Sequence, residues 1–338
     1  MSRAWALGDG RVTDTVLDVR SLSVTFHKAG SARATGPQAP SRVVTAVDDV
    51  SISVGRGEVL GIVGESGSGK STLCRAIAGL EPVTSGKIFY EGRELGHSRS
   101  KMERRAIQMV FQDPYTSLNP SLRIGHVLLE ALRAAGVRDP ISAPALMSSV
   151  GLDESILAVR PAKLSGGQRQ RVAIARALAV NPHVLLADEV TSALDVSIQA
   201  TIVELLARLA AERHLCLVFV THNLQVVRAL CQRVAVMHAG RLVEAGTVTD
   251  IFSSPAHPYT RSLMDALPRL HRRRGRVPEG RAAEDDEPGF ALATSESSQC
   301  FFRLRCPLAH ARCASERPSF SPGEGSGEHV VACHAAGT

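Results

Sequence analysis

Gly64-Glu65-Ser66-Gly67-Ser68-Gly69-Lys70-Ser71-Thr72 decides how this chain is read. The stretch fits G-x-x-x-x-G-K-[ST], a phosphate-cradling P-loop. Before it, Glu58-Val59-Leu60-Gly61-Ile62-Val63 reads as a buried strand. After it, Leu73, Ile77 and Leu80 fall at helical spacing and are expected to form one apolar stripe. Strand, loop and helix in that order are the context the motif requires. Glycine lets backbone N–H groups turn toward a phosphate with no Cβ in the way, and the helix N-terminus adds partial positive charge. Gly64, Ser66, Gly67, Gly69, Lys70, Ser71 and Thr72 are therefore the expected nucleotide-binding set. In it Lys70 reaches the β- and γ-phosphates and the Ser71 hydroxyl ligates Mg2+.

The 338 residues carry a net charge of +6, 44% hydrophobic and 4% aromatic side chains. That length allows about two domains, and the hydrophobic fraction is ample for a core. The positive charge suits an acidic partner or surface: nucleic acid, an anionic membrane face or nucleotide phosphates. No apolar run approaches the ~20 residues of a transmembrane helix. Met1 to Asp9 lacks the basic start and long apolar region of a signal peptide, so none is expected. A nucleotide-binding loop also argues for the cytosol, where ATP is. Cys74, Cys216 and Cys231 sit in regular apolar segments and read as core.

Outward from the loop, Val16–Phe26 and Val43–Val54 read as strands, separated by a Gly/Ala/Ser/Pro-rich surface insertion at Lys28–Ser41. Further strands are expected at Lys87–Tyr90, Ile107–Phe111, His183–Asp188, Leu215–Thr221 and Val234–Met237. Helices are expected at Gly166–Val180, Ser197–Arg213 and Leu224–Cys231; Ile198, Ile202, Leu205, Leu206 and Leu209 give the second one apolar face. Such alternation implies a largely parallel sheet covered on both faces. Between about 113 and 165 the texture changes to helical segments, His126–Ala135 and Ala145–Val150, broken by Pro114, Pro120, Pro140, Pro144 and Pro161. This reads as a helical subdomain inserted into the α/β core. Past Ile251 come a short helix at Arg261–Leu267 and a charged linker holding Arg272-Arg273-Arg274 and Glu284-Asp285-Asp286-Glu287, then a cysteine-bearing end. Residues 15–255 are thus expected to form a nucleotide-binding domain, and 256–338 a C-terminal extension.

Two further stretches carry chemistry. Val184-Leu185-Leu186-Ala187-Asp188-Glu189 is an apolar strand ending in paired carboxylates. At the strand's end Asp188 can hold Mg2+ opposite Ser71, while Glu189 points toward a water attacking the γ-phosphorus, as a general base. Leu164-Ser165-Gly166-Gly167-Gln168 opens a second helix N-terminus able to bind phosphate. One P-loop has no use for a second γ-phosphate site within the same chain. Two facing chains do, because each can offer this turn to the other's ATP.

Taken together, the P-loop, Gln112, Leu164 to Gln168, Asp188-Glu189, Ser192-Ala193-Leu194-Asp195 and His222 resemble the nucleotide-binding subunit of an ABC transporter. That resemblance implies a P-loop NTPase fold and ATP hydrolysis. It gives Gln112 a role sensing metal and γ-phosphate and coupling to the membrane subunit. It also implies that Ser165 and Gly167 bind the partner's ATP, that Asp195 links the two sites, that His222 contacts the γ-phosphate and positions Glu189, and that Phe26 stacks on adenine, with plain core as the alternative for Phe26. The family usually has Pro after the Asp-Glu pair; here it is Val190. Proline would restrain the backbone, so its loss is expected to loosen this turn while removing no catalytic group.

Phe111-Gln112-Asp113-Pro114-Tyr115-Thr116-Ser117-Leu118-Asn119-Pro120 and His257-Pro258-Tyr259-Thr260-Arg261-Ser262-Leu263 are similar to the oligopeptide/dipeptide and nickel importer ATPases, more like the second of their two paired subunits. So is the end of the chain, Arg305-Cys306-Pro307-Leu308-Ala309 with Cys313 and Ala332-Cys333-His334. The implied partners are a paralogous ATPase subunit (or a second copy), two membrane permease subunits and an extracytoplasmic substrate-binding protein, with the chain peripheral on the cytoplasmic side. Substrate identity, peptide or nickel or another small solute, is not encoded in this subunit. Cys300, Cys306, Cys313 and Cys333 could hold a [4Fe–4S] cluster, which the resemblance favours, or Zn2+, or nothing. His329 and His334 lie nearby as spare ligands, with exposed bystanders as the preferred reading. The rival classes are a DNA-associated or a ribosome-acting ABC-type ATPase. The short helical insert, scarce aromatics and single P-loop count against both, so no nucleic-acid partner is expected.

Overall fold

The structure, a computed structural model, describes residues 14–28, 42–113, 117–134, 136, 142–192, 194–266, 298–324 and 327–336. Most of the expected insertion after Lys28, the residues Pro114 to Thr116, Pro140, Ala193 and the charged linker lie outside them.

In chain order the elements are β1 (Thr15–Lys28), β2 (Arg42–Gly55), β3 (Val59–Val63), α1 (Lys70–Ala78), β4 (Ser85–Tyr90), β5 (Arg93–Glu94), α2 (Lys101–Ala106) and β6 (Ile107–Val110). There follow α3 (Ile124–Ala134), α4 (Ser142–Ser149), α5 (Gly166–Leu178), β7 (Val184–Asp188), α6 (Val196–Arg213), β8 (Cys216–Thr221), α7 (Leu224–Leu230) and β9 (Arg233–His238). The chain ends with β10 (Arg241–Thr247), α8 (Val248–Ser253), α9 (Pro258–Asp265), α10 (Ala311–Ser315), β11 (Ser321–Pro322) and β12 (Val330–Val331).

The main sheet runs β11-β12-β10-β9-β3-β8-β7-β6. From β9 to β6 every pairing is parallel. These strands are apolar without a break because both their faces are covered. In β3, Leu60 and Ile62 point into one core and Val59 and Val63 into the other. Val184 and Leu186 against Leu185 and Ala187, and Val218 and Val220 against Leu217 and Phe219, repeat the division in β7 and β8. This is the period-two geometry of a strand. Each of these side chains other than Ala187, fully buried, contributes roughly 1.5–3 kcal/mol.

On one face lie α1 and a separate antiparallel sheet, β2-β1-β4-β5. The other carries α5, α6, α7 and the helical insert, whose Leu128, Leu132 and Met147 join the same core as Val172 and Ile174 of α5. The first two strands, expected simply as strands, lie outside the parallel sheet and pair antiparallel with each other along their length. The apolar stripe on α1 is shorter than expected. Gly79 takes a left-handed conformation and caps the helix at Ala78, leaving Leu80 outside it and 56% exposed. Pro144 does not break α4, since it sits in the first turn, where its missing N–H costs nothing.

The P-loop, Asp188 and His222 stand at the carboxyl ends of neighbouring parallel strands β3, β7 and β8. In open α/β sheets such strand ends form the crevice where ligands bind. Past the nucleotide-binding strands, β10 and β12 extend the sheet antiparallel, so the cysteine-bearing end is stitched to the main sheet by Glu244↔Val331 and Ala245↔Val330 pairing.

Candidate phosphate-binding and hydrolytic site

The loop between β3 and α1 is packed too closely for side chains. A Cβ on Gly64 would lie 2.1 Å from the Met237 carbonyl oxygen, and one on Gly69, whose φ is +102°, 2.2 Å from that of Ala46. The loop is therefore wedged against the end of β9 and against β2. Lys70, 3% exposed, folds over it and donates from Nζ to the Gly64 and Glu65 carbonyls at 2.9 and 2.8 Å. Burial lowers the Lys70 pKa, against the pull of Glu189 and Asp188. A desolvated ammonium at a helix N-terminus strongly favours an incoming anion.

Ser71 Oγ donates to Asp188 Oδ1 at 2.8 Å. Asp188 is 2% exposed, and burial raises its carboxyl pKa while the Ser71 hydrogen bond opposes the rise. A hydroxyl and a carboxylate side by side are hard oxygen donors of the kind Mg2+ takes, so these residues fit that ion. The same ion would draw the buried carboxylate into its ionised form.

Glu189 is where the separate motifs meet. Its Oε2 accepts from Gln112 Nε2 at 3.0 Å, and its Oε1 lies 3.9 Å from both Lys70 Nζ and His222 Nδ1. The Glu189 backbone is left-handed, φ +47°. For a non-glycine residue that conformation costs about 1–3 kcal/mol and persists only where the surroundings impose it. Here the amide donates to Val220 O at 3.0 Å, while the carbonyl accepts from the Ser192 amide and hydroxyl at 3.0 and 2.9 Å. Val190, 2% exposed, is packed into the core. Where the family has a proline ring, hydrogen bonds and the burial of Val190 hold this turn.

Ser165 and Gly167 lie apart from this group. Ser165 closes a capping box at the start of α5, its Oγ accepting from Gln168 N at 3.2 Å and its amide donating to Gln168 Oε1 at 3.0 Å. A Cβ on Gly167 would meet Ile198 Cγ2 at 2.7 Å, so α5 and α6 approach through the glycine. Asp195 starts α6 with no side-chain capping bond, and the neighbouring Val196 is 82% exposed. Among the described residues no hydrogen bond or ion pair joins Ser165, Gly167 or Asp195 to Glu189 or Lys70. Ser66 and Gly67 are exposed and Thr72 is half-buried on α1. Phe26, half-buried opposite Val44, packs on the core beneath the antiparallel sheet.

The four tail cysteines share one neighbourhood. Burial raises the Cys300 and Cys333 thiols, and neighbouring tail thiols add to both shifts. Yet among the described residues no three His, Cys, Asp or Glu side chains are placed to hold a metal ion. The [4Fe–4S] and Zn2+ expectations thus have no assembled ligand set. Cys300 and Cys306 pack against the main core, and burial favours the neutral thiol of Cys300 and of Cys333 over the metal-binding thiolate. His329 is not an exposed bystander either: fully buried, it shares a 2.7 Å hydrogen bond with Glu244, which also accepts from the amides of Ala256 and His257. His334 is half-buried and bonds through Nε2 to Glu316 O at 3.0 Å.

The loop has a neighbour that its motif does not announce. Tyr259, completely buried at the start of α9, accepts from the Glu65 amide at 2.8 Å, and Arg305 pairs with the Glu65 carboxylate. His257 caps α9, its Nδ1 accepting from Tyr259 N at 3.0 Å, while His238 packs on the Tyr259 ring at 4.3 Å. Burial holds His257 down at about 3 and His238 at about 4, below the usual 6.5. Groups so depressed bind fewer protons folded than unfolded. Their stabilisation is fully present above pH 6.5 and is lost as pH falls toward the folded values, at about 1.4 kcal/mol per pH unit for His257. Thermal melts are expected to fall steadily between pH 6.5 and pH 4.5. A flat profile would show that these imidazoles are not desolvated as described.

Comparison with known proteins places this geometry. The profile described as ABC transporter matches residues 47–192, and that of the oligopeptide/dipeptide transporter C-terminal region matches 243–313. The oligopeptide transport ATP-binding protein OppF of Salmonella typhimurium is 42% identical over 87% of this chain and 89% of its own length. AppF of Bacillus subtilis, likewise an oligopeptide transport ATP-binding protein, is 40% identical over 86% and 89%. Among solved structures, the ATP-binding cassette MJ0796, a dimer in a post-hydrolysis state bound to ADP and Pi, aligns with a TM-score of 0.59 and 30% identity over 69% of this chain and 98% of its own. The cbiO1 protein of Clostridium perfringens aligns equally, TM-score 0.59, at 28% identity over 71% and 92%.

Proposed function

The chain belongs to the ATP-binding subunits of ABC transporters, in their oligopeptide branch, and from that footing we propose how its residues divide the hydrolysis of ATP that powers peptide import. The reading rests above all on one observation, the meeting of Gln112, Lys70 and His222 at the Glu189 carboxylate beside the Ser71–Asp188 pair.

Lys70 and the loop amides bind the β- and γ-phosphates. Ser71 and Asp188, with Gln112, would hold Mg2+, which would supply charge neutralisation at the phosphate oxygens. Glu189 takes the proton of the attacking water. Gln112 orients one of its oxygens and His222 stands at the other, near where the γ-phosphate lies. Phe26 is assigned to the adenine. Ser165 and Gly167 close on the nucleotide of a second ATPase subunit, and Asp195 lies between the two sites. No covalent intermediate is required; positioning and charge stabilisation suffice. The tail cysteines carry no step.

Among the described residues no helix is long and apolar enough to cross a membrane. The assembly we propose docks this chain from the cytoplasmic side onto two permease subunits, served by an extracytoplasmic binding protein and paired with a paralogous ATPase. Affinity purification from membranes tests it. Two hydrophobic permease proteins are expected to co-purify, and the reconstituted complex to take up peptide only with ATP. Salt-sensitive binding to DNA or ribosomes without permeases would contradict it.

A further inference from the structure

We propose that Tyr259 and Arg305 of the C-terminal extension are positioning residues of the nucleotide site, acting through Glu65 of the P-loop. The proposal rests on the reading of that loop as the ATP site. It assigns a task to His257-Pro258-Tyr259, a motif for which phosphate binding and hydrolysis have no use.

Every polar handle of Glu65 is taken. Its amide donates to Tyr259 Oη at 2.8 Å, across 194 residues of sequence. Its carboxylate is gripped by both Arg305 Nη atoms, each at 3.1 Å, across 240 residues. Its carbonyl accepts from Lys70 Nζ at 2.8 Å. The phosphate-binding lysine and the tail thus hold opposite sides of one residue, and a shift of Glu65 displaces an acceptor of Lys70. Nor can the loop retreat behind Glu65, because the Gly64 backbone abuts the Met237 carbonyl.

The far side of the clasp is itself braced. Tyr259 is locked by the His257 cap and by ring contacts with His238 at 4.3 Å and Phe302 at 5.5 Å. Arg305 lies 5.7 Å from the Phe302 ring centre, in a turn whose amide bonds run from Arg303 to Cys300 O and from Arg305 to Phe302 O. A two-toothed arginine–carboxylate pair fixes orientation as well as distance. This pair is exposed, 61% and 41%, so its share is modest. The buried tyrosine carries more.

None of the clasp residues is bonded to Glu189, Gln112 or His222, so the clasp should set nucleotide affinity and leave the hydrolytic step alone. The test measures MgATP affinity of the purified full-length chain by calorimetry, and KM and kcat in the assembled complex. Arg305→Ala is expected to weaken binding about three- to fivefold, and Tyr259→Phe about tenfold, with KM rising in step and kcat unchanged. Arg305→Lys keeps the charge without the fork and should fall between. Glu65→Ala combined with Arg305→Ala should be no weaker than Glu65→Ala alone, which a merely structural role would not produce. Should Tyr259→Phe fail to fold, the exposed Arg305 variants carry the test. If Arg305→Ala and Tyr259→Phe bind MgATP as the wild type does while Lys70→Ala does not, the clasp is wrong and the ATP site stands. If Lys70→Ala binds normally as well, both fall.

Discussion

Glu189→Gln is expected to lower the turnover of the assembled ATPase by about 10²- to 10⁴-fold, the usual worth of a positioned general base, while MgATP binding survives. Glutamine fills the same space and can keep the left-handed backbone, because what holds it, the Val220 carbonyl and the Ser192 donors, does not touch the side chain. What disappears is the oxygen that takes a proton from water. In barrier terms the loss is about 2.7–5.5 kcal/mol. The 3.9 Å contacts to Lys70 and His222 lose their charge but remain as contacts, so affinity changes little. Single-turnover hydrolysis with radiolabelled ATP separates binding from chemistry. Turnover within tenfold of wild type would move the base elsewhere.

Lys70→Ala should act on the other half of the reaction. Its ammonium is desolvated and held by neutral carbonyls, with carboxylates nearby only at longer range. Burial makes that cation costly, and a phosphate is the partner that offsets the cost. Charge-assisted hydrogen bonds contribute about 1.5–3 kcal/mol each, so losing two should weaken MgATP binding on the order of a thousandfold. Removing the cation also leaves Asp188 and Glu189 without their positive neighbour, which adds repulsion toward phosphate. Calorimetric titration that still shows wild-type affinity would mean the phosphates sit elsewhere.

What could be read from the chain and what could not follows from how each feature is encoded. The strands β3, β7 and β8 were legible because burial on both faces forces an unbroken apolar run, and Asp188 was located by where its run ends, whereas His222 came only with the family resemblance. The P-loop was legible because its glycines answer to steric limits that no other residue meets. Features made by contact between remote residues were not. The strand β10 was not among the expected strands; it holds Arg241, Glu244 and Gly246, which interrupt its apolar pattern. Only the fold shows that Glu244 is completely buried and bonded to His329. Cysteine spacing, similarly, does not reveal that Cys300 and Cys306 turn toward the core. Tyr259 carried a recognisable motif with no visible purpose, because its partner Glu65 lies at an unconstrained position of the loop. Leu80 failed for a local reason: the periodicity continued one step past a glycine that stops the helix.

We infer that this chain holds half of a composite ATP site. Lys70, Ser71, Asp188 and Glu189 stand together, while Ser165, exposed, and Gly167, buried against Ile198, lie at the start of α5, and among the described residues no bond joins them to that group. The direct test is the ATPase rate per chain for the purified protein held monomeric by dilution, against its rate in the assembled transporter. The monomer is expected to bind MgATP yet turn it over at a small fraction of the complex's rate, recovering when a second ATPase subunit is added, but not when that subunit carries Ser165→Arg or its equivalent. A monomer hydrolysing ATP at the complex's full rate would contradict the claim.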